Sequence, residues 1–181
     1  MSRELRAGEG SEPLGPARPV ILIVDDDAGV RESFRLILED NYELVEAADG
    51  RQAIETVRAG EVDLVLLDIR LPEMDGIEVL ERIKTIDDEV EVILVTAVKT
   101  VRTAVAAMKL GAFDYITKPF EEDDLLSVVR RALEKRSLER EVVFLRSELA
   151  WRQDFGEIVG NHAEMQKLFR LIAQVARIST T

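Results

Sequence analysis

The 181-residue sequence has no cysteine, a single histidine and a single tryptophan. Without cysteine it can build no disulfide framework, thiol nucleophile or thiolate zinc site. One histidine is too few for an imidazole-rich metal centre. Long apolar runs are also missing. Val20-Ile21-Leu22-Ile23-Val24 is among the longest, far short of a bilayer span. The first residues lack the apolar centre of a secretory signal. Basic side chains are the minority, 24 Lys+Arg against 36 Asp+Glu, for a net charge of −12. What remains, 46% hydrophobic and 33% charged, is the composition of a soluble protein with one good core and an appendage. It is compatible with the cytosol and offers no membrane segment.

The acid excess is local. Residues 1–129 hold 14 basic and 29 acidic side chains, whereas residues 130–181 hold 10 basic and 7 acidic. An acidic body repels a nucleic-acid backbone, so direct nucleic-acid binding is not expected. A phosphate-bearing ligand would need a bound cation to enter it. Solubility alone remains the bland explanation of such acidity.

Residues 1–18, rich in Gly and Pro, read as a flexible tail that cannot bury enough surface to offset its ordering entropy. From Val20 onward the pattern becomes regular. Val20–Val24 is an apolar, β-branched run suited to a strand covered on both faces. Helical spacing of Val30, Phe34, Ile37 and Leu38 follows. A strand at 42–46, a helix capped by Asp49, a strand at 62–67 and a helix at 76–86 come next. Further strands are predicted at 90–95 and 113–117, around a helix at about 100–110. A last helix opens with Glu121-Glu122-Asp123-Asp124, where the macrodipole favours acids. Five alternations of strand and helix predict an α/β fold: a five-stranded parallel sheet with helices on both faces.

Ligands of such sheets bind at the carboxyl ends of the strands. Asp25-Asp26-Asp27 follows the first strand, Asp68 the third, Thr96 closes the fourth and Lys118 follows the fifth. Singly, each has an ordinary explanation. Asp27 and Asp75 read as helix caps, Tyr115 as a packed edge aromatic and Lys118 as a solvated amine. Together they converge on one site. Crowded carboxylates repel by about 1–4 kcal/mol per pair at roughly 4 Å, and a divalent cation would neutralise them. All-oxygen donors suit Mg²⁺, with Mn²⁺ possible. Asp68 follows the most apolar strand and is the candidate nucleophile for an acyl phosphate. Lys118, Thr96 and the cation would stabilise the phosphoryl oxygens.

These motifs resemble the signature of a response-regulator receiver domain. It runs through Asp25-Asp26, Asp68 with Leu71-Pro72-Glu73-Met74-Asp75-Gly76, Thr96-Ala97 and Tyr115-Ile116-Thr117-Lys118-Pro119-Phe120. The resemblance covers about residues 19–136 and implies a flavodoxin-like sheet of order 2-1-3-4-5. It implies that Asp68 accepts phosphate from a sensor histidine kinase. Mg²⁺ would then be held by Asp26, Asp68 and the Arg70 backbone carbonyl, with Asp25 acting through a water. It further implies a Thr96–Tyr115 switch pair, a cis bond before Pro119, and tuning of phosphate lifetime by Arg70 and Val98. Catalysis would be limited to the domain's own phosphorylation and dephosphorylation.

Beyond it, residues 137–155 read as a helical linker, with Leu138, Val142, Leu145 and Leu149 forming a short coiled-coil seam suited to a homodimer. Gly156 to Gly160 is expected to break that helix. Asn161 with Glu164 reads as a capping box for a further helix, and lone His162 as a surface residue. Residues 156–181 resemble the opening of the AAA+ ATPase domain of NtrC-like enhancer-binding activators. That resemblance implies a parent protein acting on DNA and sigma-54 RNA polymerase in the bacterial cytoplasm. No G-x-x-x-x-G-K-[ST] motif is present, so ATP hydrolysis is not expected of this chain, which reads as a truncated regulator. A Mg²⁺-dependent aspartyl-phosphate phosphatase is the rival from another class. Such an enzyme would typically want a second carboxylate where Arg70 stands. A flavin binder would want hydroxyl- and glycine-rich phosphate loops.

Overall fold

The computed structural model describes residues 18–98 and 100–159, with side-chain environments up to residue 147. Five strands, β1 (Val20–Val24), β2 (Glu43–Ala47), β3 (Leu64–Leu67), β4 (Glu91–Thr96) and β5 (Asp114–Thr117), alternate with five helices. These are α1 (Ala28–Leu38), α2 (Gly50–Ala59), α3 (Gly76–Ile86), α4 (Val101–Lys109) and α5 (Glu122–Val159). The sheet is wholly parallel, in the order β2-β1-β3-β4-β5. This is the flavodoxin-like winding, in which helices cover both faces and the first two strands part at a switch point beside β3.

Side chains alternate across a strand, so the three central strands feed two cores. Ile21, Ile23, Leu64, Leu66, Ile93 and Val95 face Phe34 and Leu38 of α1 and Leu125, Val129 and Ala132 of α5. Leu22, Val24, Val65, Leu67, Val92 and Leu94 face Ala53, Ile54 and Val57 of α2, Val79, Leu80 and Ile83 of α3, and Ala107 of α4. Each fully buried Leu or Ile contributes about 1.5–3 kcal/mol. The middle of the sheet is therefore its most rigid part, while β2 and β5 are partly exposed edges.

Four helices begin with a side-chain cap directly after a strand or loop. Asp27 accepts from the Gly29 amide at 2.7 Å, Asp49 from Gln52 at 2.9 Å and Asp75 from Ile77 at 2.8 Å, while Thr100 caps α4. Asp27 and Asp75 are thus used locally.

Two expectations need correction. The third strand starts at Leu64 rather than Val62, because the Val62 carbonyl accepts from Arg136 at 3.0 Å instead of joining the ladder. The last helix is not broken at Gly156 but runs on to Val159. A lone glycine inside a helix costs only about 1 kcal/mol relative to alanine, which does not suffice to end it.

The chain divides into two compact units between Arg136 and Ser137, inside α5. In the second, Leu138, Val142 and Leu145 are exposed, and so are Val143 and Phe144. The Leu149 side chain, residues 1–17 and residues 160–181, with Asn161, His162 and Glu164, lie outside the described residues.

Candidate functional site

The three central strands deliver their polar residues to one edge of the sheet. Backbone hydrogen bonds continue just past the strand ends: the Asp25 amide donates to Ala47 O (3.2 Å), Asp68 to Val24 O (2.9 Å) and Lys118 to Thr96 O (2.9 Å). These residues are thereby held by the sheet ladder itself rather than by free loops.

Asp25, Asp68 and Thr96 are buried, at 2%, 8% and 0% exposure. Such carboxylates are expensive without a counter-charge, and Lys118 supplies it. Its Nζ donates to Asp25 Oδ2 at 2.5 Å and to Asp68 Oδ2 at 2.9 Å. The remaining oxygens are also engaged: Asp25 Oδ1 accepts from the Asp27 amide (3.0 Å) and Asp68 Oδ1 from the Arg70 amide (3.2 Å). Lys118 reaches inward from a backbone whose bond to Pro119 is cis. Behind it, Phe120 stacks on Phe34 of α1, with ring centroids 5.5 Å apart and planes within 15°.

The electrostatics follow from this packing. Burial pushes the Asp68 carboxyl up, but hydrogen bonding from Thr96, Lys118 and the Arg70 amide holds it below the usual carboxylate value. Burial opposes the charge on Lys118, and the two carboxylates raise its amine above the usual lysine value. Asp68 is therefore an ionised, partly desolvated carboxylate at neutral pH. That is the protonation state of a nucleophile.

A pocket of about 490 Å³ opens over this group, lined by Asp25, Asp26, Asp27, Val30, Asp68, Arg70, Ala97 and Lys118. Asp26 and Arg70 are exposed at its rim. Arg70 also borders the groove between α3 and α4 with Val98. Among the described residues, no three acidic or imidazole side chains close on a single point. The oxygen donors instead border an open pocket, an arrangement that suits a cation keeping several of its waters.

Beside the pocket, the Thr96 hydroxyl accepts from the Val98 amide at 3.3 Å, and the Tyr115 hydroxyl donates to the Val98 carbonyl. Tyr115 packs on the sheet core, half-buried, and burial followed by the Asp68 charge pushes its phenol up. Gly76 lies directly behind Asp68. A Cβ there would come within 2.3 Å of the Asp68 carbonyl oxygen and 2.6 Å of Ile69 Cα. The glycine in the 71–76 loop thus permits α3 to start against the Asp68 peptide.

Sequence reasoning missed Arg31. Its Nη1 donates to the Asp25 carbonyl at 2.8 Å while its Nε pairs with Glu46 at 3.0 Å. The only available signal was a basic residue six positions past Asp25 on α1. It also missed a charged group at the other end of the sheet. Buried Arg136 pairs there with Asp63 at 3.0 Å, and buried Glu91 pairs with Lys135.

Comparisons with known proteins agree on the class. The response regulator receiver domain family matches residues 21–130. The chain is 38% identical over 157 residues to the regulatory protein AtoC of Escherichia coli K12, an alignment covering 86% of this chain and 34% of AtoC. It is 37% identical over 170 residues to the C4-dicarboxylate transport transcriptional regulatory protein DctD of Pseudomonas aeruginosa, covering 92% and 37% respectively. The chain thus spans about a third of the length of these relatives. Among solved structures, a receiver domain protein from Methanospirillum hungatei superposes with a TM-score of 0.66 at 33% identity, covering 68% of this chain and 99% of that one. NtrX from Brucella abortus gives 0.65 at 36% identity, covering 87% and 34%. Among the described residues, no helix is long and apolar enough to cross a membrane. The chain belongs to the response-regulator receiver family, its relatives include NtrC-type regulators, and its general function is phosphorylation-based two-component signalling.

Proposed function

We propose that Asp68 is the phosphoryl acceptor, taking the group from a phosphohistidine of a sensor kinase. The observation that carries this reading is the shared amine: Lys118 binds Asp68 and Asp25 together at the floor of an acidic pocket. An Asp68 carboxylate oxygen attacks phosphorus in line. The phosphorus–oxygen bond forms as the phosphorus–nitrogen bond breaks, and the imidazole leaves with the electron pair and takes up a proton. Lys118 steadies a phosphoryl oxygen as charge develops there, and the Thr96 hydroxyl, close by, donates to another.

Asp26, Asp68 and the Arg70 backbone carbonyl would hold Mg²⁺, or Mn²⁺, with Asp25 acting through a water. When bound, the ion offsets charge on the phosphoryl group and the surrounding acids. The fit rests on the chemistry of the donors, all hard oxygens bordering one pocket. It rests also on Lys118, whose ammonium already occupies the place where the acids draw positive charge.

Thr96 and Tyr115 form the switch pair of this reading. A phosphoryl group draws the Thr96 hydroxyl toward it, and the Tyr115 ring, released from the Val98 carbonyl, turns into the space. Arg70 and Val98, at the pocket mouth and its flank, tune access of the hydrolytic water. The exposed apolar residues Leu138, Val142 and Leu145 support a linker seam between two copies. A regulator of this kind, cytoplasmic and bacterial, would carry the signal to DNA and sigma-54 RNA polymerase, a reading supported by the description of DctD as a transcriptional regulatory protein.

The test is incubation with acetyl phosphate and Mg²⁺. Intact mass is expected to rise by one phosphoryl group in the wild type and not at all in Asp68→Asn. An unmodified wild type overturns the reading.

A further inference from the structure

We infer that Arg31 is a positioning residue for the acidic loop after β1, holding the Asp25–Asp26 peptide in the orientation that lets Asp26 face a divalent cation. The inference rests on the cation reading above. Arg31 lies on the first turn of α1, mostly buried, with 17% of its side chain exposed. Its planar guanidinium spans two elements. Nε donates to Glu46 Oε2 on β2 at 3.0 Å, and Nη1 donates to the Asp25 backbone oxygen at 2.8 Å. Both bonds are charge-assisted or made by a charged donor, the stronger kind. They tie the carbonyl leaving Asp25 to a strand. That carbonyl belongs to the same peptide plane as the Asp26 amide, so its direction sets where Asp26 starts. The other side of the loop is fixed by the Asp27 amide donating to Asp25 Oδ1 at 3.0 Å. Lysine could not replace Arg31, because one ammonium on a flexible stem lacks the fork that reaches both partners.

Arg35 makes the arrangement testable. It stands one turn further along α1, carries the same charge and pairs with the other oxygen of Glu46. Among the described residues, no hydrogen bond or ion pair joins it to the acid loop. A purely electrostatic role for Arg31 and a positioning role also differ in sign. Removing a positive charge beside an acidic pocket should tighten cation binding. Loosening the loop should weaken it.

The experiment is calorimetric titration of Mn²⁺ into the full chain as wild type, Arg31→Gln, Arg31→Lys, Arg35→Gln and Asp26→Asn, with amide hydrogen exchange on the same samples. Loss of a supporting partner typically costs on the order of 10-fold in metal affinity or more. Affinity is expected to fall by about that factor in Arg31→Gln, to fall also in Arg31→Lys, and to stay within about twofold in Arg35→Gln. Exchange at the Asp27 amide should quicken in both Arg31 variants alone. An unchanged or tighter affinity in the Arg31 variants overturns the inference, as does an equal loss in Arg35→Gln. Should the wild type bind no Mn²⁺, the cation reading falls, and exchange then decides the clamp. Faster exchange at Asp27 in the Arg31 variants upholds it, and unaltered exchange rejects it. Arg31→Lys, which keeps the charge and the apolar stem, serves if Arg31→Gln does not fold.

Discussion

Lys118 Nζ lies 2.9 Å from Asp68 Oδ2 although fifty residues separate the two in the chain. The distance is set by the sheet. Asp68 leaves β3 and Lys118 leaves β5, with β4 between them, and a side chain as long as lysine is needed to cross the gap. The same amine is bonded to Asp25 beyond β1. One cation therefore serves two buried acids that leave the neighbouring strands β1 and β3.

Removing it should expose the cost of that crowding. Lys118→Ala is expected to destabilise the fold by about 3 kcal/mol near neutral pH, because two buried carboxylates lose their partner. The pair stabilises between the two ordinary pKa values. Asp68, held below 3.8, contributes above that value and loses the contribution as acid protonates it. Lys118, raised above 10.5, contributes below that value and loses it as base removes its proton. Thermal melts from pH 3 to pH 8 should thus show wild type and variant converging at the acid end. Mg²⁺ should raise the melting temperature of the variant more than that of the wild type.

Gly76→Ala should damage the site without touching a polar group. Its Cβ would sit 2.3 Å from the Asp68 carbonyl oxygen, which belongs to rigid backbone. The N-terminus of α3 or the Asp68 peptide must move, at a cost of about 1–3 kcal/mol. Urea denaturation should report that loss, and phosphorylation by acetyl phosphate should slow because the nucleophile is displaced. An unaltered rate would mean that α3 alone gives way.

A third expectation concerns the far end of the sheet. The family match ends at residue 130, yet Ala132 is buried and Arg136 reaches back to Asp63 and to the Val62 carbonyl, both at 3.0 Å. Asp63 also accepts from the Val20 amide at 2.9 Å, at the start of β1. A fragment of residues 19–130 should therefore be less stable than one of residues 19–137 by at least about 3 kcal/mol, the cost of breaking a buried ion pair. Chemical denaturation of the two fragments measures the difference.

Much of this was legible in the chain. The parallel sheet follows from apolar runs such as Leu64–Leu67, and the site follows from acids placed where those runs stop. Asp27 and Asp75 could be read as caps because capping is decided within three residues. What was not legible depends on distant partners. Nothing near Arg136 in sequence announces Asp63, seventy-three residues away. Arg31 and Glu46 look like ordinary surface charges until β2 lies beside α1. Helix persistence through Gly156 was misjudged because one glycine costs a helix only about 1 kcal/mol, too little to end it.

The central claim is that Asp68, and no other group, carries the phosphoryl. Borohydride reduces an acyl phosphate to an alcohol, converting a phosphorylated aspartate to homoserine. The chain should be phosphorylated with acetyl phosphate and Mg²⁺, reduced, digested and mapped by mass spectrometry. Homoserine at position 68 alone is the expected result. Homoserine at position 25 or 26, or a phosphoryl group retained elsewhere with position 68 still aspartate, would contradict it.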